Sequence, residues 1–268
     1  MQTDTCVIIT TYNRLRYIKE CLRSVLSQTA PPDELVIIDG GSSDGSLEWL
    51  RSEHSGLKII SAKNNPGPSV LMNLGLGETR SQFVAFLESD DNWRPSYLEK
   101  MAAALHASSA LCLHCDFTAI DDAGRILISA RRGRMPAAAP NILRRLGPES
   151  PVGRALAGCT RLSFTMFRRE AFSILGGFDP SYQRVCHDVD FLFRLAQRCG
   201  AEAFSWLDED LGIQRIHAGQ LSRQKTSATM LDRAWLSLRH PPALRDRISD
   251  KLCEKAEETR TRRTIREH

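Results

Sequence analysis

Leu35-Val36-Ile37-Ile38-Asp39-Gly40-Gly41-Ser42-Ser43-Asp44-Gly45 reads as a strand buried on both faces that runs into a turn. Four apolar residues in succession suit a parallel strand covered on both sides. The acid, the two glycines and the small polar residues that follow are turn formers. Working outward, Cys6–Thr11 is a second β-branched run, and Leu15, Ile18, Leu22, Val25 and Leu26 then recur at helical spacing. On the far side, Leu47–Leu50 opens a helix, Leu57–Ser61 is strand-like, Val70–Leu76 helical and Phe83–Leu87 strand-like. Pro95 suits a first helical turn and starts a helix over Ser96–His106, before a further strand over Ala110–Phe117. This rhythm predicts an α/β fold with a mostly parallel central sheet and helices on both faces.

The pattern changes after residue 117. Asp121-Asp122-Ala123-Gly124 reads as a turn between two short strands. Residues 129–160 are rich in Arg, Ala, Pro and Gly with weak periodicity, and read as an excursion or lid. A strand over Ser163–Phe167, a helix over Arg169–Leu175, an amphipathic helix over Asp188–Cys199 and short strands over Phe204–Leu207 and Leu211–Ile216 follow. The expected organisation is one domain over 1–225, with halves of about 1–117 and 118–225, and a charged helical tail over 226–268.

Composition narrows the function. Of 268 residues, 42% are apolar and 25% charged, which fits a folded globular chain and excludes wholesale disorder. The net charge of +4 gives no case for nucleic-acid binding. The longest stretch without a charged residue, Met101–Cys115, is shorter than the roughly 20 residues of a membrane span. The N-terminus has no basic region ahead of its apolar run, so no signal peptide is expected. The eight cysteines show no framework of regular spacings. Reduced thiols in the cytoplasm are expected, and Cys112-Leu113-His114-Cys115 is read as core rather than zinc site.

In an open parallel sheet, ligands bind beyond the C-terminal strand ends. Three such ends carry polar groups here: Thr10-Thr11-Tyr12-Asn13-Arg14, the turn after Asp39, and Glu88-Ser89-Asp90-Asp91. Three acids within four residues raise one another's pKa unless a cation neutralises them. Oxygen ligands in a loop suit Mg²⁺ or Mn²⁺ held together with substrate phosphates. Helix capping accounts for one of these acids but not for three. Asp39 either accepts the N–H of a base or a ribose hydroxyl, or satisfies turn amides. Gly41-Ser42-Ser43-Asp44-Gly45 also fits the G-x-S-x-G elbow of an α/β-hydrolase, with Ser43 as nucleophile and Asp188 or Asp190 and His217 following in order. Only one strand and one helix precede the strand that leads into that turn, and the hydrolase reading leaves Glu88–Asp91 unexplained.

Taken together, six segments resemble family 2 glycosyltransferases of the GT-A fold, over roughly residues 5–225. They are Val7–Arg14, Val36–Gly45, Phe86–Pro95, the pair Phe167–Glu170 and Leu175–Asp179, His187–Leu195, and Arg215–Ser222. The resemblance implies that Thr10, Tyr12, Asn13 and Asp39 hold the nucleotide, and that Asp90 and Asp91, with Glu88 and His217, hold ribose and a divalent metal. It implies that Asp188 is the general base, and that Trp93, Arg215 and His187 lie on the acceptor or diphosphate side. A helix N-terminus favours negative charge, which suits an ionised Asp188. The sequence departs from the family pattern at Glu88, His187, Gly40 and Met72. Glu88 and His187 also keep open a nucleotide-sugar-binding protein without catalysis. The implied reaction is a single inverting displacement on a nucleotide-sugar, UDP-linked by the fit of Tyr12 and Asp39. The implied acceptor is a cell-surface polysaccharide or lipid-linked glycan. The basic end, Arg260–Arg266, reads as a solvated helix face or as a contact with an anionic inner membrane surface.

Overall fold

A computed structural model describes residues 4–128, 161–223 and 226–239. The excursion expected over 129–160 and most of the tail beyond residue 239 lie outside the described residues. The chain runs β1 (Thr5–Thr11), α1 (Leu15–Leu26), β2 (Glu34–Asp39), α2 (Ser46–Glu53), β3 (Lys58–Ser61), α3 (Pro68–Gly77), β4 (Phe83–Glu88), β5 (Asn92–Trp93), α4 (Tyr97–His106), β6 (Cys112–Ile120) and β7 (Ile126–Ile128). It continues with β8 (Thr165–Arg168), α5 (Glu170–Leu175), α6 (His187–Cys199), β9 (Phe204–Arg215) and α7 (Ser227–Arg239).

The strands form one sheet in the order β3-β2-β1-β4-β8-β6-β9-β5, with β7 on β6. The first four are parallel, with Thr11 level with Asp39 and Thr10 level with Glu88. All three polar strand ends therefore open on one edge. The remainder is mixed. β8 is antiparallel to both β4 and β6, so the strand after α4 does not join β4 directly, as a purely parallel continuation would require. The two short strands expected over 204–216 are one long strand. Cys115 pairs with Leu207 and Asp116 with Asp210, so residues 208 and 209 bulge out. The acidic interruption that suggested a break is this bulge. Similarly, Leu162–Phe164 is a 3₁₀ turn, and β8 begins only at Thr165.

Side-chain alternation divides the core. Val7 and Ile9 face α1 and α4, burying Ile18, Leu22, Val25, Tyr97 and Met101. Cys6 and Ile8 face the other layer, where Leu71, Met72, Phe172, Phe191 and Leu195 pack. The contact of α3 with β1 depends on Gly75, where an added Cβ would stand 2.3 Å from Ile8 Cγ2. Ile8 is β-branched and fully buried, so it has little room to give. Gly75→Ala should cost about 1–3 kcal/mol of overpacking against roughly 1 kcal/mol gained in helix propensity, and a contact this short with a fully buried β-branched neighbour puts it toward the upper part of that range, a net loss of up to about 2 kcal/mol. The melting temperature should fall, and a rise would contradict this packing.

The bulge gathers Asp116, Asp208 and Asp210. Partial burial and the charges of Asp208 and Asp210 push the Asp116 carboxyl up to about 6. This carboxyl holds its proton more tightly folded than unfolded, so its stabilising contribution is present at low pH and lost as pH rises through about 6. Asp116→Asn should therefore raise the melting temperature at pH 7.5 and leave it unchanged at pH 4. Equal shifts at both values would rule out this electrostatic origin.

Candidate active site

The β1 and β2 ends are tied to each other before they meet any ligand. Asn13 N–H donates to Ser42 Oγ (2.8 Å) and Ser43 N–H to Asn13 Oδ1 (2.8 Å). Asp44 accepts from Leu15 N–H at 2.9 Å, satisfying an open amide of α1 from the neighbouring loop. Asn13 therefore joins the two loops beside the cavity. Asp39 is fully buried. Its Oδ2 accepts from Gly41 N–H (2.8 Å), Ser42 N–H (3.0 Å) and Ser61 Oγ (3.1 Å), while Oδ1 has no partner among the described residues. The turn-forming role of Asp39 is thus present in the structure, and its carboxylate also stands outside the cavity lining.

A cavity of about 300 Å³ lies beyond these strand ends. Thr10, Tyr12, Asn65 and Pro68 line one part, Glu88 and Asp90 another, and Arg184, His187 and Asp188 a third. Arg161, Gln214 and Gln220 also border it. Asn65 belongs to none of the three polar strand ends named from the sequence. The segment after β3, Asn64-Asn65-Pro66-Gly67-Pro68, lies on the same edge by the same topological rule and carried a turn signal.

Glu88, Asp90 and Asp91 come together, with one carboxylate oxygen from each within 4.8 Å of the others. Glu88 stands at the exposed end of β4, in the cavity; desolvation there, together with the charges of Asp90, Asp91 and Asp188, pushes its carboxyl above the usual range. Asp91 is pushed up to about 8 by burial and by Asp90. Carboxylates that raise one another this way form a donor set that fits a hard divalent cation, Mg²⁺ or Mn²⁺. Within it, Glu88 and Asp90 face the cavity, whereas Asp91 is buried behind them and accepts Arg215 N–H at 3.1 Å. Asp90 Oδ2 meets His217 Nε2 at 2.9 Å and Arg14 Nε at 3.8 Å. His217 Nδ1 accepts from Gly219 N–H at 3.2 Å, which leaves Nε2–H to donate to Asp90.

Two expectations are corrected. Trp93 is a core residue: its indole N–H donates to Ser163 O and its ring stacks on Tyr97 at 4.1 Å. Arg215 turns its guanidinium away from the cavity, onto Glu20 and Asp121 O, and lies over Tyr17. Burial holds Trp93 because β5 pairs with β9 at Gly212, and it holds Arg215 because Glu20 of α1 supplies a counter-charge on that side. His187 does border the cavity. It is buried against Phe178, and burial lowers its pKa and keeps the ring neutral.

Asp188 sits in the first turn of α6, with Oδ1 accepting from Val189 N–H at 2.8 Å. The hydrolase triad is not assembled. Ser43 is held at Asn13, both His217 nitrogens are engaged elsewhere, and Asp190 pairs with Arg194.

A parallel strand-end cleft that carries an acidic triplet on one side and a helix-borne carboxylate on the other defines a GT-A architecture. The chain belongs to glycosyltransferase family 2, because the model of that family, Glycosyl transferase family 2, matches residues 6–174. An uncharacterized glycosyltransferase of Rickettsia conorii is 31% identical over 133 residues, covering 49% of this chain and 22% of that protein. This chain thus spans about a fifth of that relative's length. Among solved structures, Staphylococcus aureus TarS 1–349 in complex with UDP-GlcNAc superposes with a TM-score of 0.64 at 20% identity, covering 91% of this chain and 70% of that one. The mannosyltransferase PcManGT of Pyrobaculum calidifontis, in complex with GDP-Man and Mn²⁺, does so with a TM-score of 0.59 at 18% identity, covering 81% and 58%. At these identities the likeness to the solved structures concerns the fold. Among the described residues, no helix is long and apolar enough to cross a membrane.

Proposed function

We propose that this chain is a metal-dependent inverting glycosyltransferase that moves a sugar from a nucleoside diphosphate to an acceptor hydroxyl. The observation that carries the reading is that Glu88, Asp90 and Asp188 line one cavity, with Asp188 close enough for its charge to raise the Glu88 pKa. In this reading Thr10, Tyr12 and Asn65 bind the nucleoside. Asp90, with Glu88 and the more deeply buried Asp91, holds a divalent cation, which would neutralise charge on the diphosphate leaving group. Asp188 Oδ2 takes the acceptor proton as the acceptor oxygen bonds to the anomeric carbon and the bond to the diphosphate breaks. Attack from the side opposite the leaving group inverts the anomeric centre.

UDP is the favoured nucleotide, supported by the TarS complex with UDP-GlcNAc. GDP is the alternative that the PcManGT complex raises. The proposed acceptor is a surface polysaccharide or lipid-linked glycan reached from the cytoplasmic side of a membrane. The free thiols of Cys6, Cys21, Cys112 and Cys115 suit a reducing compartment. The test is to incubate the chain with UDP- and GDP-sugars and Mn²⁺, follow nucleoside diphosphate release, and assign the product anomer by proton NMR. Mn²⁺-dependent release with inversion is expected. Retention of configuration would overturn the inverting role of Asp188.

A further inference from the structure

We propose that α7 is a strap that sets the base-bearing segment, with Asp232 as its positioning residue. The proposal rests on the reading of Asp188 as base.

The backbone of Gln183–Val185 has three successive N–H groups facing one carboxylate. Asp232 Oδ1 accepts from Gln183 N–H at 3.1 Å, and Oδ2 accepts from Arg184 N–H at 2.6 Å and Val185 N–H at 2.8 Å. Asp232 is buried, at 4% exposure. A buried carboxylate is tolerated where charge-assisted hydrogen bonds replace its water. Buried amides outside regular structure need a partner of this kind. The segment so held runs directly into Asp188 and lines the cavity as it goes.

The other end of the same segment is anchored elsewhere. Asn73 of α3 brackets Phe178, donating to its carbonyl (2.8 Å) and accepting from its N–H (2.9 Å), and Ser69 Oγ donates to Tyr182 O at 2.7 Å. The segment is thus fixed at its beginning to the donor half, with Arg239 of α7 also paired to Asp179, and at its end to α7 through Asp232. None of the hydrogen bonds of Asp232 reaches the β1, β2 or β4 strand ends. Removing its carboxylate should free residues 183–186 and misplace Asp188, while the fold and the donor-binding groups stay in place. A shift of about 1 Å in a positioned group can cost on the order of 10²-fold in rate.

Asp232→Asn is the near-isosteric test, since an amide offers one acceptor oxygen where three N–H groups converge. Asp232→Glu tests whether charge without the right reach suffices. Three quantities are to be measured: amide hydrogen exchange at 183–186, calorimetric binding of UDP with Mn²⁺, and turnover of the nucleotide-sugar that the wild-type chain consumes. The expected result is exchange at least about tenfold faster at those amides, nucleotide affinity within about twofold, and a kcat lower by about 10–100-fold with donor KM unchanged. Glu should restore less than half of the loss. Unchanged exchange at 183–186 would overturn the strap. So would a parallel loss of nucleotide binding and melting temperature, which marks a merely structural role. Asp188→Asn is the control: if it keeps turnover, the base reading fails, and the exchange result still decides the strap by itself.

Discussion

Asp188→Asn is expected to lower turnover by about 10²–10⁴-fold, the usual contribution of a positioned general base, with nucleotide affinity within about twofold of wild type. The substitution keeps the shape of the side chain and its Oδ1 acceptor for Val189 N–H (2.8 Å). What it removes is the basicity of the other oxygen, which has no further hydrogen bond among the described residues. Because Asp188 also adds to the charge that raises Glu88, the variant should bind a metal-bound nucleotide no more tightly, and the loss should fall on kcat. Steady-state turnover alongside calorimetry of UDP with Mn²⁺ separates the two. A loss confined to affinity would make Asp188 a donor ligand instead of a base.

Asp90→Asn is expected to abolish Mn²⁺-dependent nucleotide binding and to reduce activity by about 10²–10³-fold, as losing several kcal/mol of leaving-group stabilisation implies. Asp90 is singled out among the three acids by position. It faces the cavity, whereas Asp91 is buried behind it and engaged with the Arg215 backbone. It is also the leading charged cause of the raised pKa values of Glu88 and Asp91. Carboxyls raised in the folded state stabilise it at low pH and lose that contribution as pH climbs, so removing the Asp90 charge should relieve repulsion at pH 8. Losing the His217 and Arg14 partners costs stability at every pH, so the metal-free variant should compare more favourably with wild type in melting temperature at pH 8 than at pH 5, while failing to respond to Mn²⁺ with UDP. An equal change in melting temperature at both pH values with the Mn²⁺ response intact would mark Asp90 as structural.

The donor half was legible because its signals are local. Apolar runs such as Val36–Ile38 followed by turn residues define parallel strands, and the polar ends of three of them fall on one edge. The acidic triplet and the helix beginning at His187–Asp188 were legible on the same grounds. What failed depends on pairing between distant segments. Nothing local in Asn92-Trp93 announces that it pairs with Gly212 and Ile213, and that pairing turns Trp93 into core. Arg215 is drawn off the cavity by Glu20, a residue 195 positions away. For Asp39 the residue type leaves both roles open: Oδ2 accepts amides of its own turn, and Oδ1 has no partner among the described residues.

The central claim is that the cavity between Asp90 and Asp188 binds a nucleoside diphosphate through a divalent cation. It is tested most directly by calorimetric titration of UDP and GDP into the chain, with Mn²⁺ and again with EDTA. The account predicts one site for one of the two nucleotides, present with Mn²⁺ and lost or strongly weakened with EDTA. Folded protein that binds neither nucleotide, or binds one equally well in EDTA, would contradict it.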